Sequence, residues 1–149
     1  MTKEQIITKL AASCARAEHC LDDMRSKMER WQVESDVQEE VLQYLVKEKY
    51  IDESRYARYF INDKIKYNRW GRKKVEQAFF LKHIPREVYE QLLDDIVDND
   101  YEEILQPLLR TKVKNIKYAN DYERNMKLIR FAMGRGFSYE QAVHCLEKL

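Results

Sequence analysis

Lys64, Lys66, Arg69, Arg72, Lys73 and Lys74 fall within eleven positions, opposed only by Asp63, with Tyr67, Trp70 and Gly71 set among them. Ammonium and guanidinium groups at that density neutralise phosphate or an acidic protein surface, and an aromatic ring between cations is suited to stacking on a base. A second group, Arg110, Lys112, Lys114 and Lys117, follows, and Arg124, Lys127, Arg130 and Arg135 extend it. Each duplex phosphate neutralised by such a strip adds a slope of about −0.9 to log affinity against log salt. A plainer reading fits the same residues: cations are favourable at helix C-termini, and aromatics at helical spacing pack between helices. The residues leave both open, and the acidic stretch 94–103 adds the option of a basic protein partner or a cationic neighbour within the chain.

Catalysis and metal binding find little footing. His19, His83 and His144 are scattered, and none accompanies a Ser or Cys nucleophile with an acidic orienting partner. His19 beside Cys20 and His144 beside Cys145 are adjacent residues, which on a helix point about 100° apart, and two ligands do not make a metal site. The acidic pairs Asp22–Asp23, Glu39–Glu40 and Asp94–Asp95 lie opposite apolar stripes, as a solvated helix face requires. With only Gly71, Gly134 and Gly136 available, no phosphate-cradling glycine loop exists. A protein without enzymatic activity, cofactor or metal is expected.

The elements that must position these residues are helices. Three glycines and two prolines are too few for a turn-rich β fold, and a charged fraction of 36% suits helices with solvated faces. Net charge is only +1, so attraction to a polyanion rests on local patches rather than on the whole molecule. Cys14, Cys20 and Cys145 are odd in number and lack zinc-like spacing, consistent with reduced thiols. No apolar run approaches membrane-spanning length and no secretory layout opens the chain; a cytoplasmic protein that does not bind membranes is expected.

Taken in order, Thr2 with Gln5 forms a capping box before Ile6, Leu10 and Cys14, and the chain turns at 18–20. Met24 and Met28 mark a second helix; Val33, Val37, Val41 and Leu45 mark a third. Asp52 caps a central helix running from about Glu53 to Tyr67. Gly71 breaks the chain before Val75 and Phe79, and Pro85 opens the next helix. Asp100 and Glu103 are expected to restart the chain as cap and partner, which places Pro107 in the first or second turn. Leu128 and Ala132 follow, and then Ser138 with Gln141 as another capping box.

Superposed, these faces repeat. Met24, Met28, Val33, Val37 and Leu45 recur 51 positions later as Val75, Phe79, Ile84, Val88 and Ile96, and a further 53 positions later as Leu128, Ala132, Phe137, Gln141 and Leu149. The spacing divides the chain into three tandem three-helix repeats at 2–51, 52–98 and 99–149, about nine helices in all. Stacked repeats predict a curved, elongated all-α array carrying both basic groups on one edge. One irregular helical bundle is the alternative.

Tyr50–Phe60, with Asp52, Arg55, Tyr56, Ala57 and Phe60 at acidic, Arg, aromatic, Ala and Phe positions, is similar to the most characteristic element of the RecX family of bacterial regulatory proteins. Gly71, Arg72 and Lys73 resemble its glycine and basic pair, Cys14–Met28 its opening pattern, and Arg135–Gln141, with Gly136, Phe137 and Ser138, its closing pattern. The chain departs from the family at Arg30–Gln32 and at Lys82 with His83, where Lys-Gly is usual, so those helix ends are expected to close differently. The resemblance implies a tandem array of three-helix units and a non-enzymatic monomer. It further implies a protein lying in the groove of a RecA–DNA filament, reaching single- or double-stranded DNA through RecA, and lowering ATP hydrolysis, strand exchange and coprotease activity. The rival is a helical module that binds DNA directly, without RecA.

Overall fold

A computed structural model describes all 149 residues, and every regular element is helical. The elements are α1 (Lys3–Arg16), α2 (Leu21–Arg30), α3 (Ser35–Lys47), α4 (Glu53–Asn62, continued as a π-helical turn over Asp63–Tyr67), α5 (Arg72–Leu81), α6 (Arg86–Asp94), α7 (Asp98–Val113), α8 (Asp121–Gly134) and α9 (Tyr139–Leu146). No helix is long and apolar enough to cross a membrane.

Several starts are set by the expected caps. The Thr2 hydroxyl accepts from the Gln5 amide and the Gln5 side chain accepts from the Thr2 amide; Ser138 and Gln141 repeat the arrangement. Asp52 accepts from the Arg55 amide at 3.0 Å. The Asp100–Glu103 restart does not form. α7 begins at Asp98, whose carboxylate accepts from Gln141 Nε2 at 3.0 Å, and Pro107 therefore lies inside the helix, where its ring removes an amide donor.

The second helix of each repeat ends on a left-handed residue: Gln32 (φ 59°), His83 (φ 58°) and Gly136 (φ 99°). The Val33 amide reaches the Met28 carbonyl at 3.0 Å and the Phe137 amide reaches Ala132 at 3.1 Å, the closure that caps a helix whose C′ residue is left-handed. The two ends without glycine thus adopt the same left-handed backbone as the one with it, contrary to the sequence-based expectation. Gln32 and His83 are exposed, and the hydrogen-bonded closure at Gln32 offsets the cost of holding a non-glycine residue there.

Packing divides the chain into two compact units whose limits fall inside α4, α5 and α6: residues 1–60 with 80–89, and residues 61–79 with 90–149. In the first, α3 packs on α1 and α2, and Ile6, Leu10, Met24, Met28, Val41, Leu45 and Ile51 form one core. In the second, α7, α8 and α9 pack mutually, and Ile65, Val75, Phe79, Leu105, Leu109, Leu128 and Phe137 are buried. The repeated apolar positions hold in the second helix of each repeat: Met24, Met28, Val75, Phe79, Leu128 and Ala132 are all fully buried. Leu149 departs from it and is 42% exposed at the last position.

Candidate functional site

The basic turn after α4 is built from the backbone outward. The π turn lets the Asn68 amide bond the Asp63 carbonyl at 3.2 Å and the Trp70 amide bond that of Lys64 at 3.0 Å, with Arg69 left-handed between them (φ 58°). The chain then meets the turn between α8 and α9 edge to edge: the Gly71 amide donates to the Arg135 carbonyl at 2.8 Å and the Lys73 amide to that of Gly136 at 3.0 Å. A Cβ at Gly71 would stand 2.3 Å from the backbone of Gly136 and Phe137, and one at Gly136 would stand 2.6 Å from Lys74. Both positions therefore require glycine because two backbones touch there. Arg135 completes the clasp, its guanidinium donating to the carbonyls of Asn68 (2.7 Å) and Arg69 (3.4 Å).

Cations surround this clasp in two states. Lys64 and Lys74 place their ammonium groups 5.4 and 4.7 Å from the Trp70 ring, so that indole holds two charges together. Arg72 bridges Asp94 at 2.7 Å and Glu76 at 3.6 Å, so its guanidinium is taken up by carboxylates of the chain itself. Lys66, Arg69 and Lys73 are exposed and form no ion pair. Within the second group and its extension, the Phe131 ring lies 5.0 Å from Lys112 Nζ and 5.9 Å from the Arg135 guanidinium. Arg110, Lys114 and Lys117 are exposed beyond it, and Lys127 bonds the Lys117 carbonyl. Of the extending residues, Arg124 pairs with Asp121 and Lys127 with Glu123, whereas Arg130 is exposed.

Beside the clasp lies a groove of about 460 Å³ floored by Tyr101 and Phe137 and edged by Lys73, Met133 and Glu140. The Tyr101 hydroxyl is buried without a hydrogen-bond partner, and burial pushes its pKa up to about 12.

The Tyr50–Phe60 motif has structural work in the first unit. Arg55 pairs with Glu18 at 2.7 Å and donates to the carbonyls of Lys49 (3.4 Å) and Tyr50 (3.3 Å), bracing a left-handed turn at Lys49. Ala57 is fully buried, and Tyr56 stacks at a tilt on Phe60 with centroids 5.6 Å apart. The histidines are occupied locally: His19 with the Ala17 carbonyl, His83 with Asp22 and His144 with Glu102. No three His, Cys, Asp or Glu side chains gather as a metal site. Burial raises the pKa of all three thiols, that of Cys20 to about 11, which disfavours the nucleophilic thiolate.

Sequence reasoning did not find the clasp. The signal was present, since Gly71 and Gly136 both sit beside arginines in turn-like stretches, but nothing local says that two segments 65 positions apart pair. Phe131 as the ring shared by Lys112 and Arg135 also escaped it.

Two domain models of one family match this chain: the second three-helix domain of RecX over residues 52–93 and the third over residues 99–146. The chain is 26% identical over 143 residues to the regulatory protein RecX of Finegoldia magna, covering 95% of this chain and 61% of that protein. It is also 26% identical over 132 residues to the RecX of Vibrio parahaemolyticus, covering 89% and 83%. The chain thus spans less than two thirds of the Finegoldia protein. The crystal structure of RecX from Lactobacillus salivarius superposes with a TM-score of 0.80 at 16% identity, covering 98% of this chain and 97% of that one. A second crystal structure of a regulatory protein RecX gives 0.89 at 15%, covering 97% and 73%; at such identities the likeness concerns the fold. Matched in order by two domain models and along most of its length by these relatives, the chain belongs to the RecX family.

Proposed function

We propose that this protein is a non-enzymatic regulator of RecA. It binds the RecA–DNA filament in its groove and lowers ATP hydrolysis, strand exchange and coprotease activity. The relatives named regulatory protein RecX support the regulatory role. One observation carries the placement of the contact: Lys66, Arg69 and Lys73 are exposed and unpaired on a turn that is itself clasped to the Arg135–Gly136 backbone. Charges held on a fixed backbone lose little further freedom on binding, which favours affinity for a rigid polyanion or acidic wall. Lys112, held near Arg135 over Phe131, and the exposed Arg110, Lys114 and Lys117 extend the contact, and several weak contacts on a repeating polymer add through effective concentration. Three repeats, at 2–51, 52–98 and 99–149, are the units of that engagement, and the protein acts as a monomer in the cytoplasm.

The test is a titration of DNA-stimulated RecA ATPase with the intact protein and with a Lys66→Ala, Arg69→Ala, Lys73→Ala variant of equal helicity. Inhibition by the first and at least tenfold weaker inhibition by the second is expected; equal inhibition rejects the placement. A second reading, direct DNA binding without RecA, draws on Tyr67, exposed beside the same cations. It requires tight DNA binding at physiological salt with no effect on RecA.

A further inference from the structure

Tyr67 is 71% exposed, and its ring has no aromatic, cationic or hydrogen-bonding partner. Such a ring is commonplace on a floppy loop, where ordering it on a ligand would cost most of what it gained. Here the backbone on its C-terminal side is held four ways: the Asn68 amide on Asp63, the Trp70 amide on Lys64, and the carbonyls of Asn68 and Arg69 on the Arg135 guanidinium. The neighbouring Trp70 is otherwise engaged, since Lys64 and Lys74 lie against its ring and it is only partly exposed. The two aromatics of the basic turn have thus divided their work: Trp70 gathers charge, and Tyr67 presents a bare face on a preorganised stem between exposed Lys66 and Arg69.

We propose that Tyr67 stacks on an unpaired base of single-stranded DNA while Lys66 and Arg69 meet the flanking phosphates. Stacking fits the ring better than groove readout does, because every base offers a π face whatever the sequence, and a tyrosine needs no further partner to use it. This deepens the placement of the basic turn against filament DNA and rests on it. Its test uses DNA alone, so that its failure stays distinct from any failure to regulate RecA.

The full-length protein is titrated, at low salt, against a thymidine oligonucleotide and against a strand of equal length and charge carrying abasic residues. The intact protein is expected to prefer the base-bearing strand by about tenfold, Tyr67→Phe to keep that preference, and Tyr67→Ala to lose it while binding the abasic strand as the intact protein does. No preference in the intact protein, or a preference surviving in Tyr67→Ala, overturns the proposal. So does a Tyr67→Ala variant that keeps the preference but no longer inhibits RecA ATPase, which would assign the ring to a protein surface.

Discussion

Glycine matters at two of its three positions, for a reason that substitution can expose. A Cβ at Gly71 has backbone atoms of Gly136 and Phe137 within 2.4 Å, whereas one at Gly134 has nothing within 4 Å. Gly71→Ala is therefore expected to cost about 2–3 kcal/mol by forcing the two turns apart. Gly134→Ala, at the end of α8, is expected to be neutral or to gain up to about 1 kcal/mol. Urea unfolding of both variants checks the contrast, and a Gly71→Ala protein as stable as the parent would remove the clasp from the account. Charge at the residue scale also gives a pH dependence. Burial pushes the Asp23 carboxyl up, but the Lys82 ammonium at 2.7 Å and the Cys20 amide more than reverse this, so its folded pKa lies below the usual value. A depressed folded pKa contributes stability that is present above the unfolded pKa of about 3.9 and is lost as pH falls through the folded one. Stability is thus expected to fall below about pH 4, and Asp23→Asn to flatten that part of the profile in a pH series of urea melts.

Among the elements, the repeat was legible because burial obeys helical spacing: Met28, Phe79 and Ala132 are the same core position. The backbone carries the repeat too, with Gln32, His83 and Gly136 left-handed at the same offsets. What the sequence could not reveal is why only the third requires glycine. A left-handed backbone tolerates a side chain when space is open, and at Gly136 the space is filled by Lys74. Gln32→Gly is therefore expected to be neutral or stabilising by up to about 1 kcal/mol, since it relieves a left-handed side chain at an exposed helix end. Gly136→Ala at the equivalent position is expected to destabilise; thermal melts separate the two, and equal effects would contradict the packing argument. The start of α7 was misplaced for a related reason, because Asp98 is fixed by Gln141 on α9, a contact with no local signature. The division into compact units follows other limits than the sequence repeat, falling inside α4, α5 and α6.

For the whole molecule, a net charge of +1 means that binding to a polyanion depends on where cations stand, not on how many there are. The basic cluster could be counted in the sequence, but its division could not. Arg72 is consumed by Asp94 and Glu76, Lys64 and Lys74 lie on Trp70, and Lys66, Arg69 and Lys73 are left to act outward. Inhibition of RecA should accordingly weaken as salt rises, and the variant lacking those three cations should show the shallower salt dependence. The central claim is tested most directly by adding the protein to preformed RecA filaments and following DNA-stimulated ATP hydrolysis. The account predicts a dose-dependent fall with the intact protein and little or none with Lys66→Ala, Arg69→Ala, Lys73→Ala at unchanged helicity; hydrolysis unaffected by the intact protein, or equally inhibited by both, would contradict it.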